Sequence, residues 1–109
     1  MNKSGVVRAL GALAHPIRLD VFRALVVAGH EGLTPGVLIE QLDVPSAKLS
    51  FHLKELAIAG LVTQERSSRN VIYRAAYDQM DGVIRYLADN CCKGFVPAPQ
   101  DSDAAACAC

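Results

Sequence analysis

No apolar run in this chain approaches the roughly 18 residues needed to cross a bilayer. The amino-terminal MNKSGVVRAL also lacks the long apolar segment and small-residue cleavage site of a secretory signal. Both absences predict a cytosolic protein with no membrane partner. No Ser/His/Asp set, paired carboxylates or glycine-rich phosphate loop is legible. A chain of 109 residues is one domain with one modest core and leaves no room for a separate catalytic domain, so an enzyme is not expected. An excess of charge is missing too, since 11 Lys and Arg balance 11 Asp and Glu. Net charge therefore does not advertise nucleic acid, but its distribution is uneven. From Ser46 to Arg74, Lys48, Lys54, Arg66, Arg69 and Arg74 face only Glu55 and Glu65, a local basic patch on a neutral chain.

Apolar side chains, by contrast, are abundant: 51% of residues are hydrophobic and mean hydropathy is +0.22. One small core cannot hide so much, which predicts burial between two copies of the chain. The segment VPSAKLSFHLKELAIAGLV, from Val44 to Val62, carries the clearest pattern. Leu49, Leu53 and Leu56 form one helical stripe, Ser46 is placed to cap the helix after Pro45, and Gly60 is placed to end it in a left-handed conformation. The opposite face carries Ser46, Lys48, Ser50, Lys54 and, near its edge, His52. Hydroxyls and amines with little carboxylate suit a helix laid in a DNA major groove. An ordinary amphipathic helix with a solvated face would show the same pattern.

The elements around this helix give it a context. Gly5 to Leu13 reads as a first helix with Val6, Val7, Leu10 and Leu13 apolar. Pro16 opens a second, reaching about Ala28, and Thr34-Pro35 opens a short third through Leu42. Asp43 to Pro45 is the turn of a helix-turn-helix pair. Leu61 to Glu65 and Val71 to Arg74 read as two strands joined by a polar turn that sets Arg66 and Arg69 at the hairpin tip. Asp78 to Cys91 reads as a last helix with Met80, Val83, Ile84 and Leu87 on its apolar side. From Lys93 the chain is Gly, Pro, Ala, Asp and Ser, a flexible tail. The fold class is mainly α with a small β-hairpin, organised as a domain over 1–92 and a cysteine-containing tail over 93–109.

The order of elements, the stretch Leu13-Ala14-His15-Pro16-Ile17-Arg18-Leu19, and Leu49-Ser50-Phe51-His52-Leu53-Lys54-Glu55-Leu56 followed by Ala59-Gly60-Leu61-Val62 resemble the ArsR/SmtB family of bacterial winged helix-turn-helix metalloregulators. The resemblance covers roughly residues 5 to 92. It implies a homodimeric repressor, paired through its first and last helices, on double-stranded operator DNA with an inverted repeat, and released by an inducer. It matches Ser46, Ala47, Lys48, Ser50 and His52 to positions facing the groove, and Arg66 and Arg69 to the wing tip.

The four cysteines bear on the inducer. Reduced thiols are expected in the cytosol. The vicinal pair Cys91-Cys92, with Cys107 or Cys109 from the tail, suits a soft ion. Trivalent arsenic or antimony takes three thiolates. A four-cysteine zinc site is available on count, although the vicinal pair departs from its usual ligand spacing. Many arsenic sensors of the family carry a Cys-Val-Cys pattern at the start of the third helix, and zinc sensors carry Asp and His on the last. Here Gly32 to Val37 contains no cysteine and the last helix no histidine. What remains resembles arsenic sensors with a vicinal pair ending the last helix, so the implied inducer is arsenite, antimonite or methylated arsenite. A thiol-redox or reactive-sulfur repressor and a metalloid carrier that never binds DNA stay open as alternatives.

Overall fold

The computed structural model describes residues 1–89. Five helices and one hairpin follow in order: α1 (Lys3–Leu13), α2 (Pro16–Ala28), α3 (Pro35–Leu42), α4 (Ser46–Ile58), β1 (Val62–Ser67), β2 (Asn70–Ala75) and α5 (Tyr77–Ala88), with one 3-10 turn at Gly29–Glu31. This is the winged helix-turn-helix expected from the sequence. The cysteines Cys91, Cys92, Cys107 and Cys109, and the tail from residue 93, lie outside the described residues. The last helix, expected to run to Cys91, ends at Ala88, with Asp89 as its extended C-cap. Asp competes for its own backbone groups and is a poor helix continuation. No described helix is long and apolar enough to cross a membrane.

Prolines and short polar side chains set the helix starts. His15, extended at φ −153°, caps α2 by accepting the Ile17 amide on Nδ1 at 3.1 Å, and Pro16 follows at the first helical position. Thr34 Oγ1 accepts the Val37 amide at 3.4 Å and Pro35 opens α3. The core gathers around α4: Leu25, Leu38, Leu49, Leu53, Leu56 and Leu61 are its largest fully buried side chains.

On two helices the apolar residues divide between core and surface. On α1 the buried residues are Val6, Ala9 and Ala12, while Val7 and Leu10 point to solvent. The alanines let α1 approach the bundle closely, and the larger side chains face out. On α5, Val83 is buried and Met80 packs against the core, but Ile84 and Leu87 are exposed. α1 and α5 are in contact, and each leaves large apolar residues uncovered.

The hairpin is tied to the helices at its base. Leu33 and Tyr73 exchange backbone hydrogen bonds at 2.9 and 2.8 Å. Gly32 makes this approach feasible. Its φ is +69°, and a Cβ there would stand 2.6 Å from the Tyr73 carbonyl oxygen. Arg74 adds a clamp, donating from Nε to the His30 carbonyl and pairing with Glu65, both at 2.6 Å. Although it counts toward the basic patch in sequence, Arg74 is engaged in holding the wing.

Candidate nucleic-acid interface

The turn before α4 is three residues long. Asp43 adopts the left-handed conformation (φ 54°, ψ 48°) that lets α3 stop, its amide donating to the Ile39 carbonyl at 2.8 Å. Val44 is buried, and Pro45 is extended at ψ 145°. Ser46, expected as the cap, is the first residue of the helix, and no side chain caps the end. The reason is that the Pro45 carbonyl already accepts the Leu49 amide at 2.9 Å, which draws Ser46 into the first turn. Uncapped amides at a helix start retain a partial positive charge suited to phosphate. At the other end the Gly60 amide reaches the Ala57 carbonyl at 3.0 Å and the Leu61 amide reaches Leu56, also at 3.0 Å, with Gly60 at φ +79°. That is the double closure of a glycine-terminated helix, and it aims the chain into β1.

Leu49, His52, Leu53, Leu56 and Ala59 face the core, leaving Ser46, Ala47, Lys48, Ser50, Phe51, Lys54, Ala57 and Ile58 exposed. All the groove-facing candidates on this helix are therefore at the surface except one. His52, grouped with them in sequence, is turned inward and is only 6% exposed. Its position three residues from Leu49 and four from Leu56 puts it on the buried stripe. Its Nδ1 accepts a hydrogen bond from Arg18 Nε at 3.1 Å, and its ring stands 4.5 Å from that of His15 and 5.4 Å from Phe51. Burial pushes its pKa below the ordinary 6.5. The nearby His15, Arg18 and Lys48 push the same way, and Glu55 opposes them. Neutral His52 thus fastens the start of α2 to the middle of α4.

In the wing, β1 and β2 pair from Val62↔Ala75 to Ser67↔Asn70, so the turn is only Ser68-Arg69. Ser68, at φ +60°, supplies the positive dihedral that a two-residue hairpin turn needs. Arg69 is at the tip as expected. Arg66 is not: it lies in β1 opposite Val71, because Ser67 and Asn70 extend the ladder through what reads as polar turn. Both arginines are exposed.

Two residues join this surface that the sequence did not single out. Phe51 is 54% exposed on α4, and the Arg18 guanidinium lies 5.7 Å from its ring centroid. The helical period could have found Phe51, since positions 47, 51, 54 and 58 share the outward line of α4. Nothing local in the sequence announces Arg18, 34 positions from its partner His52. As for metal, no group of three or more His, Cys, Asp or Glu able to hold an ion occurs among the described residues.

Comparison with known proteins agrees with this geometry. A family model described as a helix-turn-helix domain matches residues 13–65. Over 78 residues the chain is 43% identical to the HTH-type transcriptional repressor SmtB of Mycobacterium tuberculosis, a match covering 69% of this chain and 53% of that protein. The chain thus spans about half the length of the curated relatives it matches. Among solved structures, an ArsR-like transcriptional regulator from Rhodococcus sp. RHA1 superimposes with a TM-score of 0.69 at 24% identity, over 77% of this chain and 76% of that one. A homodimeric winged helix-turn-helix DNA-binding domain from Mycobacterium bovis does so at 0.64 and 22% identity, over 87% and 88%. These two likenesses are of fold.

Proposed function

Because the chain belongs to the ArsR/SmtB family of winged helix-turn-helix regulators, we propose that it is a transcriptional repressor. In this reading it binds double-stranded operator DNA with an inverted repeat as a homodimer, and leaves when its cysteine thiolates bind trivalent arsenic. One observation carries the DNA half of the reading. The exposed face of α4 offers Ser46, Lys48, Ser50 and Lys54 from a helix with an uncapped start, and leads directly into a hairpin tipped by Arg69. Side chains of that kind meet base edges and phosphates. Arg66, one register step below the tip, is a phosphate contact in this reading, and Ala47 allows close approach. His52 acts from beneath by holding the helix.

The exposed apolar residues Val7 and Leu10 on α1 and Ile84, Tyr86 and Leu87 on α5 support the homodimer. A polar solvent gains nothing from wetting them, and a second copy presents the same set. The inducer reading rests on the four thiols. Cys91 and Cys92 follow α5 in the chain, so a metalloid held there acts next to the proposed dimer contact. Cys107 or Cys109 supplies the third thiolate. Antimonite takes three thiolates in the same way, whereas methylated arsenite, with one bond already to carbon, takes two. To turn a mostly occupied operator into a mostly free one, the inducer must favour the released state by roughly 5 kcal/mol.

The test uses a duplex selected by this protein from a random pool, with binding read by fluorescence anisotropy. Arsenite should release the wild-type protein. Cys91→Ser/Cys92→Ser should bind as tightly and stay bound. Release of that double variant by arsenite would place sensing elsewhere, and release of the wild-type protein by persulfide but not arsenite would favour the reactive-sulfur alternative. Failure of the wild-type protein to select any duplex would remove the repressor reading altogether.

A further inference from the structure

The outward line of α4 is not what a purely phosphate-binding helix would carry. Its members are Ala47, Phe51, Lys54 and Ile58, spaced by four, three and four residues, so they stack along one edge of a 13-residue helix about 20 Å long. Three of the four are apolar, and Phe51 and Ile58 are 54% and 59% exposed. A half-exposed phenylalanine ring gains free energy when apolar surface covers it, and here it stands in the middle of the surface that carries Lys48, Ser50 and Lys54. The ring is also held. Arg18 lies over it, with its guanidinium carbon 5.7 Å from the centroid, and Arg18 is itself fixed by its Nε hydrogen bond to Nδ1 of buried His52. Arg18 makes no ion pair among the described residues, so the terminal nitrogens of its guanidinium remain available beside the ring.

We propose that Phe51 is a specificity-determining residue that reads thymine, its ring packing on the C5 methyl of one T·A pair in each half-site, with Arg18 as the positioning residue that fixes the ring. This inference rests on the DNA-binding reading above and adds the base class that α4 selects. The chemistry follows from the groove. Thymine alone among the four bases presents a methyl group in the major groove, and apolar side chains recognise it by contact. Lys54 and Ser50 beside the ring can bond the acceptors and phosphates around that methyl. No hydrogen bond to the base is required of Phe51 itself.

The experiment replaces each thymine of the selected duplex, one at a time, by deoxyuridine, which keeps every hydrogen-bonding group and removes only the methyl. For the wild-type protein, one position per half-site should lose about fourfold in affinity, the size of one buried methyl group. Phe51→Ala should bind the thymine duplex more weakly and show no loss on deoxyuridine at that position. If the wild-type protein tolerates deoxyuridine everywhere, or if Phe51→Ala keeps the same sensitivity, the assignment is wrong while the repressor reading stands. If no duplex is selected, both fall. Tolerance of deoxyuridine throughout the wild-type scan overturns the assignment even should Phe51→Ala prove unstable, which a circular dichroism melt reports; Phe51→Leu, a milder truncation, should then show a reduced loss at that position, and an unchanged loss would overturn it.

Discussion

Among the described residues, two exposed surfaces differ in kind. The surface of α4 and the wing offers Lys48, Ser50, Lys54, Arg66 and Arg69 around a single held aromatic ring. The surface of α1 and α5 offers Val7, Leu10, Ile84 and Leu87, flanked by Tyr86. A surface of the first kind is stable in water and gains from a polyanion, because its charges are solvated until counterions are displaced. One of the second kind costs free energy in water and gains from any apolar cover. The difference teaches that exposure alone says little about function, and that the chemistry of what is exposed says which class of partner would relieve it. It also predicts that the two surfaces can be damaged separately.

The largest effect is expected from Ile84→Asp. Ile84 is 43% exposed in the protomer, so the single chain should fold with little change in its melt. In the proposed dimer the carboxylate would be buried without a partner, which costs several kcal/mol. Dimerisation should weaken by about 100-fold or more, read by sedimentation velocity across a concentration series, and operator affinity should fall with it because the two recognition helices are no longer joined. Wild-type protein that is already monomeric at micromolar concentration would show that the apolar surface has some other cover.

Arg69→Ala and Lys54→Ala probe the other surface and should act at an intermediate level. Each should leave sedimentation unchanged and reduce affinity for selected and unrelated duplexes alike. Each should also lower the slope of log affinity against log salt by about one. An altered dimer equilibrium, or an unchanged salt slope in both variants, would break the separation between the two surfaces.

Much of this division was legible in the residues. The prolines at 16 and 35, the cap at Thr34 and the glycine at 60 place the helix boundaries within a residue or two, because each acts locally. The misreadings share a physical origin in tertiary context. On α1, the apolar pattern of Val6, Val7, Leu10 and Leu13 does not say which residues face inward; close packing admits Ala9 and Ala12 beside Val6, and hydropathy cannot tell an inner apolar face from an outer one. Arg66 to Asn70 is uniformly polar and reads as one turn with Arg66 at its tip; composition does not show that the ladder continues to Ser67 and Asn70, which requires Ser68 to take a positive φ uncommon outside glycine. His52 stands near the edge of the polar face and the family resemblance matches it to a groove position, although its period places it with Leu49, Leu53 and Leu56. The partner that makes its burial tolerable, Arg18, comes from a different helix, and no local pattern reveals such a bond.

His52 lets the coupling between the two helices be tested by pH, with the smallest effect of the three. Its pKa is lowered in the folded protein, first by burial and then by His15, Arg18 and Lys48, with Glu55 opposing. In the unfolded chain it should titrate near its ordinary 6.5. Between the folded and unfolded values the unfolded state therefore binds more protons, and stability rises with pH across that window. Above about 6.5 the contribution is complete. Below it, stability is lost as pH falls, levelling off beneath the folded value, with a slope of at most about 1.4 kcal/mol per pH unit for one proton. Protonation at Nδ1 also removes the acceptor for Arg18 Nε, so the same acidification should loosen the arginine that holds Phe51. The measurement is a urea midpoint series from pH 7.5 to 5.5 on the wild type and on His52→Asn, whose side-chain oxygen can take over the acceptor role without titrating. The variant should show the shallower decline. Parallel curves for the two proteins would mean that His52 does not report on the α2–α4 contact, and that Arg18 is held over Phe51 by packing alone.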